Sequence, residues 1–511
     1  MLTKLFIENF QSLMFPQSIR LAPLTLIVGA NSSGKSSISR ALRLFQQSFE
    51  HSELHFAGER VDLTSFKTAV SQHDTTNQIK FGLNIATSAK WTGETNELLF
   101  KSRNLSFTIS GEKSAQISEF SGGGEFILRE RGSSHSGTIG GGAFSFEAVR
   151  PRSNSKYLKL SFSVASGEEY LNRFFENIKS DGEHLFPLTD ERAPENPDGL
   201  LILDGAAALN VANWTGIPLK MDGMRPAISI HPEVASRPQT TGMVVTNHLM
   251  KLVNQTFLNV SDIVSEILSV APLRSIISGP TNKPVGKQSM SSTGDNVQQV
   301  LLAMDGEAFK KVSDLLEKLT RGRYKIIRLE MRSDDANIGH FSQVALLDLS
   351  NGDQVPVLFQ DAGVGISQVL PILVAILRSP LLPPKPTRFG VRQRGLSRVT
   401  FIEQPELHLH PEMQADLADL LIDAVKPGKK RDGNLIQHSQ ILVETHSESM
   451  IMRIQKRIRE GKLDASDVAI IGVDKFAGGG SLAQEYRISP EGQLVDELPR
   501  DFSTLRLNEL L

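Results

Sequence analysis

Eight residues near the start of the chain have the types and spacing needed to hold phosphate. Residues 29–36 read GANSSGKS and satisfy the pattern G-x-x-x-x-G-K-[ST]. Glycines let backbone N–H groups turn toward phosphate oxygens, and a helix start adds partial positive charge. In this pattern Lys35 neutralises the β- and γ-phosphates and Ser36 binds Mg²⁺. The residues therefore predict a nucleoside triphosphate site.

A second group of candidate side chains follows an apolar run at residues 399–403, VTFIE. Glu403 ends this run, where a carboxylate ligand for the same Mg²⁺ is expected. The chain continues QPELHLHP. An alternative interpretation is a zinc or manganese site made of Glu406, His408 and His410, since two histidines beside an acid suit these metals.

Gln404 follows Glu403 at the position where many nucleotide-hydrolysing proteins carry a second acid that activates water. An amide cannot accept a proton, although it can orient a water molecule. Glu406 would supply the carboxylate if the chain after the strand curls toward the γ-phosphate. Either the protein hydrolyses its nucleotide with another group, or it mainly binds it.

Two further stretches place polar residues at the ends of elements. Residues 361–368, DAGVGISQ, combine a glycine-rich turn with a helix start, which is a second anion site. Residues 441–447, ILVETHS, end a strand beside His446, whose ring would touch a γ-phosphate and report its loss.

The elements that would position these residues can be read from the spacing of apolar side chains. Residues 24–28, LTLIV, form a strand before the P-loop, and ISRALRLFQQ after it has helical spacing. Alternating segments between about 78 and 165 predict an antiparallel β-meander. Helices then alternate with strands up to DVAIIGV, which argues a parallel or mixed sheet covered by helices. The predicted segments are 1–165, a largely helical insert at 166–322, 323–495 and a tail at 496–511.

Composition limits the classes of function. The 511 residues exceed what a single core usually holds, so at least two lobes are expected. The formal net charge of -2 gives no global basic field for nucleic acid, so a contact with DNA would be local, at the basic stretches 385–398 and 426–431. The sequence contains no cysteine, signal peptide or bilayer-spanning run, and a cytoplasmic protein is expected.

In the order of its motifs the chain resembles the heads of ABC-type ATPases. More closely, it resembles the stand-alone ATPases of the RecF, structural-maintenance-of-chromosomes and overcoming-lysogenization-defect group. The strings that carry this resemblance are IENFQSL, PLTLIVGANSSGKSS, APLRS, DAGVGISQVLPIL, FIEQPELHLHPEMQ and VETHSESMIMRIQKRI. The resemblance implies an α/β head, with a P-loop NTPase mixed sheet and an antiparallel β-meander, interrupted by a helical insert.

The resemblance also implies a homodimer, or a higher homo-oligomer, whose heads hold ATP and Mg²⁺ between them. Glu403 would hold the metal and His446 would act as the switch histidine. Gln72 is a candidate for the glutamine that such heads use between their lobes at the metal. Phosphate would contact the P-loop of one subunit and the glycine-rich signature of the other, through Gly29, Asn31, Gly34, Lys35, Ser36, Ser37, Gly363, Gly365 and Ser367.

Three departures from the family pattern bear on function. The signature is DAGVGISQ instead of LSGGQ, the acid pair is EQ instead of DE, and about 65 residues after His446 are too few for a Toprim nuclease domain. We therefore expect a slow ATPase that senses DNA or foreign elements and controls a separately encoded effector such as a nuclease. A nucleotide-locked scaffold that holds a partner protein is the alternative, and a membrane transporter is disfavoured.

Overall fold

The computed structural model describes residues 1–51, 54–92, 96–111, 115–130, 138–150, 158–165, 213–222, 225–228, 241–275, 281–282, 290–331, 341–350, 355–381, 398–426, 439–476 and 478–496. These residues form two compact units. We call one the parallel-sheet unit, drawn from Met1, Ile19–Ser39 and Glu266–Leu511. We call the other the antiparallel-sheet unit, drawn from Leu2–Ser18 and Arg40–Ser265.

The described secondary structure comprises strands and helices that alternate in blocks. The strands are β1 (Leu2–Glu8), β2 (Gln17–Arg20), β3 (Leu24–Val28), β4 (Ile79–Thr92), β5 (Asn96–Ser110), β6 (Gln116–Glu130), β7 (Thr138–Val149), β8 (Leu158–Ala165), β9 (Asn213–Asp222), β10 (Arg225–Ile228), β11 (Leu268–Val270), β12 (Thr281–Asn282), β13 (Tyr324–Met331), β14 (Phe341–Asp348), β15 (Val355–Val357), β16 (Arg398–Glu403), β17 (Ser439–Glu444), β18 (Val468–Lys475) and β19 (Ser481–Tyr486). The helices are α1 (Lys35–His51), α2 (Phe66–Ala69), α3 (Thr241–Ser265), α4 (Val297–Ala303), α5 (Gly306–Leu319), α6 (Val364–Leu381), α7 (Pro411–Val425) and α8 (Glu448–Arg459).

One nine-stranded sheet has the order β10-β9-β8-β7-β6-β5-β4-β1-β2. Neighbours from β10 to β1 pair antiparallel, which confirms the meander predicted between 78 and 165. Aromatic rings fill the core of the antiparallel-sheet unit: Phe257 of α3 lies 5.6 Å from Phe107 and 5.2 Å from Phe120, both nearly edge-to-face. Such pairs add about 0.5–1.5 kcal/mol each beyond the area they bury.

The six-stranded sheet of the parallel-sheet unit has the order β11-β16-β17-β3-β18-β19. Its strands run parallel except β19, which pairs antiparallel with β18. Every residue of β3, β16 and β17 is buried, as expected of strands covered on both faces. Because these strands are parallel, their carboxyl ends meet at one edge, where ligands bind in open α/β sheets.

Helices and a small second sheet complete the parallel-sheet unit. Strands β12, β14 and β13 pair in that order, and β15 pairs with β14. Helix α5 is capped by Asp305, whose carboxylate accepts from the Ala308 N–H at 2.7 Å. Helix α8 is capped by Ser447, which accepts from the Met450 N–H at 3.1 Å. None of the helices in the described ranges combines the length and hydropathy that a membrane span requires.

The compact units divide the chain differently from the predicted segments. The described residues of the predicted insert at 166–322 form α3, α4 and α5 near the expected helical stretches. They also form four strands: β9 and β10 of the nine-stranded sheet, β11 of the six-stranded sheet and β12 of the small sheet. One of the boundaries between the units falls after Ser265, inside the predicted insert. Short strands are fixed by distant hydrogen-bond partners, so local periodicity does not reveal them. Most of the predicted tail lies outside the described residues.

Candidate functional site at the carboxyl edge of the parallel sheet

The loop between β3 and α1 has the backbone conformation that its glycines make available. Gly29 has φ +146° and Gly34 has φ +102°, both in the region that favours glycine. A Cβ atom at Gly29 would lie 2.3 Å from the backbone oxygen of Val473 on β18, so no side chain fits there. The loop thus ends against the neighbouring strand and delivers the chain to the N-terminus of α1, a 17-residue helix that begins at Lys35.

Lys35 is buried and folds back over this loop. Its Nζ donates to the carbonyl oxygens of Gly29 at 2.9 Å and Ala30 at 2.6 Å. Burial lowers the pKa of the Lys35 ammonium, while Glu444 and Glu406 act to raise it. The ammonium is therefore held at the sheet edge between loop carbonyls and two acids. Of the other predicted phosphate ligands, Asn31 is exposed and Ser37 is buried.

Ser36 contacts a carboxylate that the sequence reasoning missed. Its Oγ donates toward both carboxylate oxygens of Glu444, at 3.2 and 3.3 Å. Glu444 is the last residue of β17, which lies between β16 and β3. A signal was present, because Glu444 ends the buried run SQILVE just as Glu403 ends RVTFIE.

Glu403 and Glu444 are direct partners in the parallel register of β16 and β17. Glu403 is 8% exposed and Glu444 is 5% exposed. Burial raises the pKa of Glu444 to about 7, with Glu403 adding repulsion and Lys35 opposing the shift. Two buried acids at neighbouring strand ends make this edge of the sheet strongly attractive to a cation.

After Glu403 the chain turns sharply. Gln404 has φ +45°, and its N–H donates to the Glu444 carbonyl at 2.7 Å. Glu406 then folds back onto the end of β17, where its carboxylate accepts from the Thr445 hydroxyl at 2.8 Å and the His446 N–H at 2.7 Å. Burial raises the pKa of Glu406, against the hydrogen bond from His446. The chain after β16 thus turns back to the end of β17, and the role of Glu406 toward a γ-phosphate stays a prediction.

His446 occupies the strand end predicted for it, immediately before the cap of α8. Its ring Nε2 is buried and has no hydrogen-bond partner among the described residues. Burial lowers the pKa of His446, and the charge of Lys35 lowers it further, so the ring is neutral at pH 7. A neutral ring beside Lys35 has one nitrogen available for a group that enters the site.

The glycine-rich signature leads into α6, but its residues face different environments. Asp361, Gly363 and Val364 are exposed, and a Cβ at Gly365 would lie 2.5 Å from the His408 backbone oxygen. Ser367 differs from the prediction: it is fully buried, and its hydroxyl donates to the Phe359 carbonyl at 3.3 Å. Because α6 packs this face into the core, the surface available to a ligand is the turn at 361–365.

Arg274, within the string APLRS, ties the signature helix to the end of β16. Its Nη2 donates to the Glu403 carbonyl at 2.6 Å, and its backbone N–H donates to the Gln368 side chain at 3.1 Å. Burial lowers the pKa of Arg274 to about 10, while Glu406 and Glu403 act to raise it. The sequence reasoning gave this arginine no role.

The alternative metal site of Glu406, His408 and His410 is not supported by the fold. Glu406 turns inward, His408 is exposed with φ +63°, and His410 caps α7. Within the described ranges, no three His, Cys, Asp or Glu side chains are grouped so that they could hold a metal ion by themselves. Proteins bind nucleotide Mg²⁺ with one or two carboxylates and the phosphates, so such a site needs no group of three.

Gln72 and the basic stretches were also predicted to act. Gln72 lies in the antiparallel-sheet unit with φ +57° and donates toward the Met14 sulfur at 3.8 Å. Its role toward a metal stays a prediction. Residues 385–397 and 427–431, which include Arg388, Arg392 and Arg394, lie outside the described residues.

The sheet edge fits the two groups that the sequence predicts. Backbone N–H groups at a helix start and a buried ammonium suit phosphate oxygens. The Ser36 hydroxyl and the carboxylates of Glu403 and Glu444 are hard oxygen donors of the kind Mg²⁺ prefers. Lys35 and Ser36 belong to α1, Glu403 to β16 and Glu444 to β17. Because β17 pairs in parallel with both β16 and β3, the strand before α1, the sheet brings together positions more than 360 residues apart in sequence.

Comparisons with known proteins agree with an ATPase of the P-loop class. Residues 1–139 match a family model described as AAA ATPase domain. Residues 258–452 match one described as AAA domain, putative AbiEii toxin, Type IV TA system. A comparison with curated proteins finds no match.

Solved structures similar to this chain include heads of Smc proteins. One is an SmcHead bound to the C-winged helix domain of ScpA, at 12% identity and TM-score 0.38, covering 96% of this chain and 98% of that chain. Another is the SMC head domain from Thermotoga maritima, at 11% identity and TM-score 0.36, covering 95% and 99%. Because both TM-scores are below 0.5, the fold is assigned from the strand order and the P-loop described above and not from these similarities. The chain thus combines a mixed α/β fold and a P-loop with two segments that match ATPase-domain families.

Proposed function

We propose that this protein is an ATPase that binds and slowly hydrolyses Mg-ATP at the carboxyl edge of its parallel sheet. The observation that carries the proposal is the convergence there of Lys35, Ser36, Glu403 and Glu444. The ammonium and the loop N–H groups hold the phosphates, and the Ser36 hydroxyl and the Glu403 carboxylate hold Mg²⁺. Mg²⁺ contributes charge neutralisation of the transferred phosphoryl group.

The residues after β16 explain why turnover should be slow. Gln404 can orient water but cannot take its proton. Glu406 is the next acid after Gln404 along the chain, yet both its oxygens already accept hydrogen bonds from Thr445 and His446. A base that must first give up hydrogen bonds works less well than a free one. Glu406 therefore acts mainly by holding His446 at the site.

ATP-dependent dimerisation is the second part of the proposal. The turn at 361–365 presents exposed backbone and the Val364 side chain, which is 43% exposed. An exposed glycine turn at a helix start suits the γ-phosphate of a nucleotide held by another copy. Gly363 and Gly365 then contribute through their N–H groups, and Ser367 supports the turn from the core.

We place this ATPase in control of a separately encoded effector, in anti-phage defence or DNA repair. The support is the name of the family matched at 258–452, which refers to a putative toxin of a toxin–antitoxin system. DNA contact would use the basic stretches at 385–398 and 426–431.

Phosphate release from purified protein with Mg-ATP tests the proposal. The Lys35→Ala variant serves as the blank, and Lys67→Ala, at an exposed position of α2, controls for the loss of a lysine. We expect release by the unaltered protein and by Lys67→Ala only. Equal release by the Lys35→Ala variant would exclude this site. Addition of duplex DNA at two salt concentrations then shows whether turnover responds to DNA, because phosphate contacts weaken with salt.

A nucleotide-locked scaffold is the second candidate, and Gln404 favours it. Sedimentation with ATP and with a non-hydrolysable analogue distinguishes the two. Assembly in ATP that never reverses, with no phosphate released, would support the scaffold. Assembly that decays as ATP is consumed would support the ATPase.

A further inference from the structure

The contact between Ser36 and Glu444 is the least expected feature of the site. The hydroxyl faces both oxygens of one carboxylate, at 3.2 and 3.3 Å. A hydroxyl that gives its proton to a carboxylate keeps its oxygen lone pairs for another partner. The hydrogen bond to Glu444 therefore fixes the orientation in which the lone pairs of the Ser36 hydroxyl oxygen can bind a cation.

The position of Glu444 in the sheet also matters. Strand β17 is the direct neighbour of the P-loop strand β3, whereas β16 with Glu403 is one strand further away. Glu444 pairs with Ile27 of β3 on one side and with Glu403 on the other. A DE pair would place its second acid at residue 404, where this chain has Gln404. Glu444 instead provides a second acid, at the end of the neighbouring strand β17.

We propose that Glu444 is the second carboxylate of the nucleotide Mg²⁺ site, acting through Ser36 by holding its hydroxyl proton and by adding negative charge next to the ion. This inference rests on the function proposed above. It makes Glu444 a positioning residue whose removal changes the metal requirement more than the binding of the nucleotide itself. It also accounts for an active site that retains two acids at its strand ends although residue 404 is an amide.

The Glu444→Gln substitution isolates the charge. The amide oxygen of glutamine can still accept from the Ser36 hydroxyl, and the side chain has nearly the same volume. A change that follows this substitution therefore reports the lost charge and not a lost shape. Glu491→Gln, at an exposed turn position, is the matched control.

The test measures binding of a fluorescent, non-hydrolysable ATP analogue at increasing Mg²⁺, with EDTA as the metal-free baseline. We expect Glu444→Gln to need about 10- to 100-fold more Mg²⁺, the usual effect of losing a group that supports a metal ligand. Binding in EDTA should change less than about 3-fold. Because Glu444 acts partly through the Ser36 hydroxyl, Ser36→Ala combined with Glu444→Gln should shift the Mg²⁺ requirement by less than the product of the two single shifts.

Two results would contradict the inference in different ways. An unchanged Mg²⁺ requirement in Glu444→Gln, with binding lost in Lys35→Ala, would exclude Glu444 from the metal site and leave the ATPase proposal standing. Absence of Mg²⁺-dependent binding by the unaltered protein would remove the proposed function and the role of Glu444 with it. Melting of each variant in EDTA, within a few degrees of the unaltered protein or above it, shows that the fold is retained.

Discussion

Replacing Glu444 by glutamine should stabilise the metal-free protein in a pH-dependent way. The structure buries this carboxyl group beside Glu403, and burial together with that neighbour raises its pKa from 4.5 to about 7. At pH values between 4.5 and about 7, the carboxyl group of Glu444 is protonated in the folded state and ionised in the unfolded state. Raising the pH through this window therefore destabilises the fold, and the full penalty is present above pH 7.

The size of the effect follows from the shift. One pH unit corresponds to about 1.36 kcal/mol, so a pKa moved from 4.5 to about 7 corresponds to about 3 kcal/mol at pH 8. At pH 5 the penalty is below about 1 kcal/mol, because this pH lies only about half a unit above the pKa of 4.5 that the carboxyl group has in the unfolded state. Glutamine carries no charge at either pH. For a unit of 150–250 residues, 3 kcal/mol raises the melting temperature by roughly 6 °C or more.

Scanning calorimetry in EDTA at pH 5 and pH 8 is the suitable assay. Both tryptophans, Trp91 and Trp214, lie in β4 and β9 of the nine-stranded sheet, so tryptophan fluorescence would report mainly on the other unit. Glu403→Gln provides an independent check, since it removes the repulsion that acts on Glu444 and should reduce the pH dependence of the unaltered protein. Glu491→Gln should melt as the unaltered protein does at both values.

Equal melting temperatures of Glu444→Gln and the unaltered protein at pH 8 would refute this reasoning. They would mean that the carboxylate is stabilised by contacts that offset its burial. A gain of the same size at pH 5 and pH 8 would also refute it, since a packing effect does not depend on protonation.

Other consequences can be checked with single variants. Gly29→Ala should abolish nucleotide binding, because its Cβ would meet a backbone oxygen at 2.3 Å, whereas Gly306→Ala, with nothing within 4 Å, should bind normally. Asp419→Asn should lower the free energy of unfolding by about 2 kcal/mol at pH 7, because hydrogen bonds from Arg457 hold the pKa of Asp419 low against the effect of burial. Urea unfolding measures this difference. It should disappear as the pH falls below the pKa of Asp419 in the folded state. Glu406→Gln should slow phosphate release about 10-fold or more with nucleotide affinity nearly unchanged, and an unaltered rate would remove Glu406 from the mechanism.

The local sequence was sufficient to predict the P-loop, because its glycines, lysine and serine lie within eight consecutive residues. The apolar residues of the adjoining strand and helix also recur at spacings typical of those elements. The β-meander was equally readable, since alternation repeats in every strand. For Ser367, which was predicted to approach a phosphate, the local pattern was not sufficient. A glycine turn at a helix start is visible in sequence, but the face that the helix buries depends on its neighbours in the fold. Its hydroxyl bonds to Phe359 inside the core.

Sequence alone thus predicted a phosphate-binding loop and an acid, Glu403, at the end of a buried strand. The order of the strands in the sheet was decided by packing and hydrogen bonding across the whole unit, and it made Glu444 the neighbour of Ser36. No local sequence pattern indicates that Ser36 and Glu444 lie next to each other. They meet because β17 pairs in parallel with β3, and parallel pairing places the ends of both strands at one edge.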